Sequence, residues 1–462
     1  MRTEAASISS GERWRPADYP ARQRSVSARP GVQAQTPFIL RMVFYVFLFS
    51  VVFEGYDPLG VSDVFTIAKL SGYVLFFIAL AHKSQCFNEF PKPFILFVIP
   101  GLFMVVHSIL NPALIVPAVI LTLTYVQMTV LFLISCNLLR RPGMLRNSLI
   151  VLAFSVALLA ALSLLGITGT QRAVSVATAP GHNTEIDRDS AFGMDENYIG
   201  MLYGLGAISC LGFAAQKVRI PGVLKVLLWP AFIVIIWPLV QTGSRGAMAS
   251  FGVGMLALLF VSSAGKHKIF RLLRAGFVVA VVAALFWKMV LSSQIATDRW
   301  NMTIEHGDTA SRSAIWLQVI AQLRDTWLFG EGIPMAYVDL GRRLTGFARM
   351  KGPHNEFLNM FLIAGITGAV CALGGWYYCV RSAWRVRATP LGAISFAAVV
   401  FVLTMSCDVA VYHRKIFWLT LALAYAAGRM VNAAPIPHRR RALPSTFRNA
   451  RQYRIPEQLS IG

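Results

Sequence analysis

Two arginines and one histidine stand out in this sequence because each lies beside small or polar residues in a chain that is otherwise mostly apolar. They are Arg245 in the run 241–247, Arg312 in the run 309–316 and His354 in the run 352–358. Guanidinium groups bind pyrophosphate oxygens through bidentate, charge-assisted hydrogen bonds. A histidine beside cations stays neutral and can accept a proton from an attacking hydroxyl. These residue types predict group transfer from a diphosphate leaving group.

Other catalytic arrangements find no support in the sequence. Gly243-Ser244-Arg245-Gly246 lacks the Gly-x-Ser-x-Gly spacing of a nucleophile elbow. His354-Asn355-Glu356-Phe357 lacks the second histidine of a zinc protease helix. The 6 cysteines form no C-x-x-C pair. We therefore expect no metal site and no cofactor.

The elements that must position these residues are membrane helices. The chain has 462 residues, of which 56% are hydrophobic and 14% charged, against about 25% charged residues in soluble proteins. Apolar runs of about 18 residues or more recur, and each can cross about 30 Å of hydrocarbon as a helix. We predict an all-α polytopic membrane protein with about 12 transmembrane helices, near residues 38–56, 63–82, 94–111, 113–136, 148–167, 197–216, 222–240, 246–264, 272–292, 356–380, 391–409 and 415–432.

Lysines and arginines alternate between successive loops, as the positive-inside rule requires. The basic loops and both termini are placed in the cytoplasm, and the loop at 168–196, the turn at 243–245 and the long polar stretch face outward. The net charge of +22 is spread over short loops and tails, so nucleic acid is not an expected partner. The predicted organisation is a disordered basic tail at 1–37, helices one to nine at 38–292, an outward loop with short helices at 293–355, helices ten to twelve at 356–432, and a basic tail at 433–462.

Arg245 departs from the charge rule because it occupies a short outward turn. An arginine at membrane depth costs free energy unless it is paired or faces water, and it therefore marks a candidate site; the alternative is an arginine that snorkels to lipid headgroups. Arg312 begins a segment with apolar residues at helical spacing, which predicts an amphipathic helix at the membrane surface with Trp316 one turn further on. His354 ends the same loop, where an arginine-rich, water-facing cavity would open.

A set of short motifs occurs in a consistent order along the chain: Asp195-Glu196-Asn197-Tyr198, Thr242-Gly243-Ser244-Arg245-Gly246-Ala247, Ser311-Arg312 with Trp316, Gly330-Glu331-Gly332, His354-Asn355-Glu356-Phe357-Leu358 and Gly365-Ile366-Thr367-Gly368. Together they resemble the O-antigen ligase and Wzy-type polymerase superfamily over about residues 190–370.

This resemblance implies a GT-C-like, metal-independent glycosyltransferase of the bacterial inner membrane with its active site on the periplasmic face. Such enzymes transfer a glycan from undecaprenyl pyrophosphate to a hydroxyl of lipid A-core or of another glycan repeat. Carried onto this chain, Arg245 and Arg312 would bind the donor pyrophosphate and His354 would be the general base. Secondary contacts would come from Asn355, Asn197, Arg299, Arg342, Arg343 and Arg349.

Two other classes of protein remain as alternatives. Twelve spans with glycine-interrupted helices also suit a transporter, although the chain shows no two-fold repeat and few intramembrane carboxylates. A non-catalytic scaffold would not need Arg245, Arg312 and His354 together. Within the enzyme class, the sequence leaves ligase and polymerase open, because no residue in the outward loops identifies a sugar.

Overall fold

The computed structural model describes residues 36–433 except 59–65, 142, 169–170, 180–181, 190, 217 and most positions between 263 and 311. Side chains of the 171–189 segment are also outside the description. The helices are α1 Phe38–Val52, α2 Ile67–Ala81, α3 Lys83–Cys86, α4 Lys92–Leu110, α5 Ile115–Leu139, α6 Met144–Leu164, α7 Glu196–Ala215, α8 Gly222–Gln241, α9 Arg245–Ser262, α10 Arg312–Thr326, α11 Met335–Thr345, α12 Glu356–Arg385, α13 Pro390–Met405 and α14 Lys415–Ala433. Two short 3-10 turns, Pro112–Leu114 and Ala191–Gly193, precede α5 and α7.

The helical architecture of a membrane protein is confirmed. Within the described residues, 6 helical segments are long and apolar enough to cross a membrane. Four shorter apolar helices, among them α1, α2 and α13, also coincide with predicted spans. The ninth predicted span, 272–292, lies partly outside the described residues, so the count of twelve stays a prediction.

An antiparallel pair of strands departs from the all-helical expectation. Strand β1, Gln171–Ala179, pairs with β2, His182–Asp189, in the loop between α6 and α7, with an irregularity between Ala177 and Ala179. The sequence of β1 contains Val174, Val176 and Thr178, whose branched side chains favour extended backbone. The sequence prediction missed this pair of strands because it relied on hydropathy, which detects long apolar spans but not short strands.

Helix α7 lies at the centre of the bundle. It packs against α6, α8, α9 and α13, and nearly all of its residues from Tyr198 to Phe213 are buried. Helix α12 packs against α4 and α14 on the other side of the core. A smaller cluster of Val319, Ala336, Leu340 and Leu362 joins α10 and α11 to the start of α12. The two helices of the outer loop are therefore packed on the bundle.

Helix α12 is interrupted at Ala364 and Gly365, and the loop after α10 fills the break. Gly365 has φ 58° and ψ −168°. The carbonyls of Leu362 and Ile363 accept hydrogen bonds from the N–H groups of Glu331 and Gly332 at 2.9 and 3.0 Å, and the Ile366 N–H donates to the Trp327 carbonyl at 2.7 Å. The segment 327–332 and the interrupted part of α12, residues 362–366, therefore satisfy each other's backbone groups.

We expect Gly365→Ala to destabilise the protein. A Cβ at this position would overlap the Leu328 carbonyl group, and the positive φ is also unfavourable for alanine. The loss should be at least about 1–3 kcal/mol, the usual cost of backbone strain of this kind. Gly374→Ala, in the same helix but facing only the end of the Leu96 side chain at 3.3 Å, is the matched control. Equal thermal unfolding midpoints for the two purified variants would contradict the claim that the break in α12 requires glycine at position 365.

Candidate active site

Helix α9 begins at Arg245, and Ser244 fixes that helix start to α7. The Ser244 hydroxyl accepts a hydrogen bond from the Ala247 N–H at 3.3 Å and donates to Asn197 Oδ1 at 2.8 Å. A serine that accepts from a first-turn N–H caps the helix N-terminus. Arg245 is therefore held next to the first turn of α7, where Asn197 lies.

Asp408, in the loop between α13 and α14, brings Arg312 to the same place. Its Oδ1 forms an ion pair with Nη1 of Arg312, and both side chains are mostly buried. Its other oxygen, Oδ2, lies against Gly246, where any Cβ would overlap the carboxylate. Glycine at this position lets the carboxylate approach the start of α9. Gly246, the residue after Arg245, and the guanidinium of Arg312 therefore both contact the carboxylate of Asp408.

Trp316 joins α10 to the segment that carries His354. Its indole Nε1–H donates to the Pro353 carbonyl at 3.1 Å. Trp316 is four residues after Arg312, so the two side chains lie on one face of α10. His354 itself has φ 48°, a left-handed conformation that is uncommon outside glycine. This turn directs the chain from Pro353 into α12, which begins two residues after His354.

His354 has the electrostatic character of a neutral base. It is open to solvent on one side. Partial removal of water by the surrounding chain and the positive charge of Arg312 lower the pKa of His354 below its ordinary value, with a smaller contribution from Lys351. The carboxylate of Asp195 opposes them. At neutral pH the imidazole is therefore uncharged and can accept a proton.

These contacts link the starts of four helices in a row. Asn197 joins the start of α7 to that of α9, Asp408 joins α9 to α10, and Trp316 joins α10 to the segment before α12. The negative charge of Asp195, before α7, also acts on His354, before α12. The N-terminus of a helix carries partial positive charge and favours anions. Four such ends with two arginines make a setting suited to a diphosphate.

The loop 406–414, which carries Asp408, is anchored by Glu356 in the first turn of α12. The buried Glu356 carboxylate accepts from the N–H groups of Val411 at 2.6 Å and Tyr412 at 3.1 Å. The Glu356 N–H donates to the Ser406 carbonyl at 2.7 Å. Asn359 Nδ2 also lies 3.4 Å from that carboxylate. Asn359 Oδ1 in turn accepts from the Tyr337 hydroxyl of α11 at 2.7 Å, which extends the network to the outer loop.

A buried ion pair anchors the other end of the same loop. Lys415, the first residue of α14, pairs with Glu54 after α1. Glu54 also accepts from the Tyr198 hydroxyl at 2.7 Å, and the Arg414 guanidinium lies 4.2 Å from the centre of the Tyr198 ring. Burial would raise the pKa of Glu54, but Lys415 and Arg414 together hold it below its ordinary value. The loop is thus fixed to α1, α7 and α12.

We expect Glu356→Ala to lower both stability and activity. It would leave two buried N–H groups without their acceptor, at about 1–3 kcal/mol each. Glu356→Gln keeps one acceptor oxygen and should lose less. Asp339→Ala, which removes only the surface ion pair with Arg342, is the control. Thermal unfolding of the three variants should give the lowest midpoint for Glu356→Ala, and a midpoint for that variant equal to the control's would contradict the anchoring role.

The other predicted residues have more varied surroundings. Asn355 caps α12 by accepting from the Leu358 N–H at 3.1 Å, and Asn197 bonds to Ser244 as described. On the exposed face of α11, Arg342 pairs with Asp339 at 3.0 Å and Arg343 with Asp325 at 3.5 Å. Arg349 is exposed. Arg299 lies outside the described residues. The structure places Arg245, Arg312, His354 and Asn197 at or next to the linked helix starts, and it gives Arg342 and Arg343 acidic partners elsewhere.

Sequence reasoning missed Asp408, Glu356 and the capping role of Asp195. Asp195 Oδ1 accepts from the N–H groups of Asn197 at 2.9 Å and Tyr198 at 3.1 Å. An aspartate before a helix start is a recognisable cap signal. Asp408 offered only one signal, a carboxylate at the end of an apolar run, where a charge needs a partner.

A known family matches part of the chain that carries the candidate site. Residues 230–373 match the family model described as O-Antigen ligase. This stretch includes Arg245, Arg312 and His354, but neither Asn197 nor Asp408. The match confirms the resemblance to the O-antigen ligase and Wzy-type superfamily over this part of the chain. No curated protein matches the sequence.

Proposed function

We propose that the protein is a periplasmic-face glycosyltransferase of the bacterial inner membrane that transfers a glycan from undecaprenyl pyrophosphate to an acceptor hydroxyl. The observation that supports this proposal is the set of contacts that links the starts of four helices, beside which Arg245, Arg312 and His354 lie. The family match over residues 230–373 supports the reaction class. Both termini are assigned to the cytoplasm by the distribution of lysine and arginine in the loops.

In the proposed reaction, neutral His354 takes the proton of the acceptor hydroxyl as the hydroxyl oxygen bonds to the anomeric carbon of the donor sugar. The bond from that carbon to the diphosphate oxygen breaks, and its electron pair leaves with the diphosphate. Arg245, Arg312 and the helix N-termini stabilise the charge that develops on the leaving group. Asp408 fixes the plane of the Arg312 guanidinium, whose five N–H donors allow one arginine to bind a carboxylate and a phosphate together.

The acceptor distinguishes an O-antigen ligase, which we favour, from a Wzy-type polymerase. The test is an assay with purified protein, a glycan linked to undecaprenyl pyrophosphate, and either lipid A-core or a second donor molecule as acceptor. A ligase gives one glycan joined to lipid A-core, whereas a polymerase gives a ladder of lipid-linked repeats without lipid A-core. We expect EDTA to leave the rate unchanged, because the proposed chemistry uses arginines and a histidine.

A transporter predicts a different outcome in the same assay. It would leave the donor intact and move it across the membrane of proteoliposomes. The candidate charged groups lie at the N-terminal ends of α7, α9 and α12, at one end of the bundle, whereas transporter sites lie near the bilayer midplane. Donor consumption in detergent, without a membrane to cross, would support the enzyme.

A further inference from the structure

A cleft lies at the opposite end of the helix bundle from the candidate active site. It has a volume of about 460 Å³, within the range of small-molecule sites. Its walls come from the start of α6, the segment before α8, the start of α13 and the end of α14, and they include Leu145, Val218, Leu391, Met430, Arg146 and Arg219. The cleft therefore combines apolar walls with two arginines, and none of its lining residues is acidic.

The guanidinium of Arg146 is held at this cleft by two hydrogen bonds. Its Nη1 donates to the Arg219 carbonyl at 3.1 Å and its Nε to Asn147 Oδ1 at 3.1 Å. Arg219 is exposed beside it. Helices α6 and α13 also begin at the cleft, after Gly143 and Thr389, and their N-terminal ends add partial positive charge. The polar part of the cleft is thus suited to an anion.

The rest of this end of the bundle is mainly basic, and its Glu89 pairs with Arg140 and Arg429. The helix ends and loops here carry Arg140, Arg141, Arg381, Arg385, Arg387 and Arg429, and the distribution of basic residues assigns this end to the cytoplasmic leaflet. Juxtamembrane basic residues attract anionic lipid headgroups, and basic pockets between helices on this side bind such headgroups. A ligand that matches both parts of the cleft needs a phosphate for the arginines and an acyl chain for the apolar walls.

We propose that this cleft binds one anionic phospholipid, with its phosphate at Arg146 and Arg219 and an acyl chain along Leu145, Leu391 and Met430. The lipid would bridge α6, α13 and α14 and hold their ends together. Arg146 and Arg219 are remote from the candidate active site, so this proposal does not depend on the proposed reaction.

The test compares lipid binding by the wild type, two double variants and one single variant. Purified protein in a non-ionic detergent is titrated with dioleoylphosphatidylglycerol, dioleoylphosphatidylcholine or inorganic phosphate, and both the bound lipid and the thermal unfolding midpoint are measured. Arg146→Gln with Arg219→Gln removes the proposed phosphate contacts. Arg381→Gln with Arg385→Gln removes the same number of charges at the same end but outside the cleft. Val218→Trp narrows the cleft without changing its charge.

We expect phosphatidylglycerol to bind and to raise the unfolding midpoint of the wild type. The Arg146 and Arg219 double variant should bind it at least about tenfold more weakly, and Val218→Trp should also bind it more weakly, while the control pair stays near the wild type. Equal weakening in the control pair would overturn the proposal, because it would show general charge attraction. Equal binding of phosphatidylcholine would overturn it too, because the net negative charge of the lipid would then not matter. Equal protection by inorganic phosphate would also overturn it, because the acyl chain would then not matter.

Discussion

Arg312→Ala should reduce kcat for glycan transfer by about 10²–10³-fold, the usual effect of removing one preorganised donor to a developing negative charge. Arg312→Lys should recover little of this loss, because an ammonium group lacks the planar fork that binds two phosphate oxygens and a carboxylate together. The initial rate of donor consumption by purified, folded variants is the measurement. Arg342→Ala is the control, since Arg342 is an exposed arginine with a surface ion pair.

The contribution of Asp408 can be separated from that of Arg312 by a double-mutant cycle. Asp408→Asn alone should lower the rate by about tenfold, corresponding to about 1.4 kcal/mol of transition-state stabilisation. If Asp408 acts by orienting Arg312, then adding Asp408→Asn to Arg312→Ala should cause almost no further loss. Independent, multiplicative effects of the two substitutions would show that Asp408 does not work through Arg312.

His354→Ala should lower the transfer rate by about 10²–10⁴-fold, the range typical of a lost general base. The pH dependence gives a sharper test than the loss itself. The rate should fall as the pH drops through the pKa of His354, because protonation removes the base. Since that pKa is lower than usual, activity should persist to a lower pH than an ordinary histidine would allow.

Two substitutions of charged residues that act on His354 should shift the acidic limb of the pH–rate profile, where the rate falls with falling pH, in opposite directions. Lys351→Gln removes a positive charge that lowers the pKa of His354, so the limb should move to higher pH. Asp195→Asn removes a negative charge that raises that pKa, so the limb should move to lower pH. Asparagine caps helices about as well as aspartate, so the start of α7 should remain intact. Shifts of the same sign in both variants would exclude His354 as the group that titrates.

The sequence was sufficient for the helical architecture because each span is a long apolar run. It also predicted the helix that begins near Arg312 and the start of a span at Asn355 or Glu356, since helical spacing and a glycine-proline break are local signals. The break within α12 was not predictable. A lone glycine in an apolar helix is a weak signal, and the loop that fills the break is about thirty residues away along the chain.

The contacts that link the helix starts around the candidate site could be found only from the three-dimensional structure. Motif comparison could select Arg245, Arg312 and His354, but the carboxylate that joins two of their helices is 96 residues from Arg312 in the chain. Glu356 was quoted as part of a motif without a role, whereas its buried carboxylate fixes the loop that carries Asp408. Such pairings depend on which helix ends meet, and hydropathy gives no information about that.

The most direct test of the account is the initial rate at which purified protein releases undecaprenyl pyrophosphate from its glycan-linked form in the presence of an acceptor. The wild type should release it, and His354→Ala, Arg245→Ala and Arg312→Ala should each lose at least about 99% of that rate at a temperature where all of them, like the Arg342→Ala control, are still folded. Release that continues at the wild-type rate in folded His354→Ala would contradict the central claim.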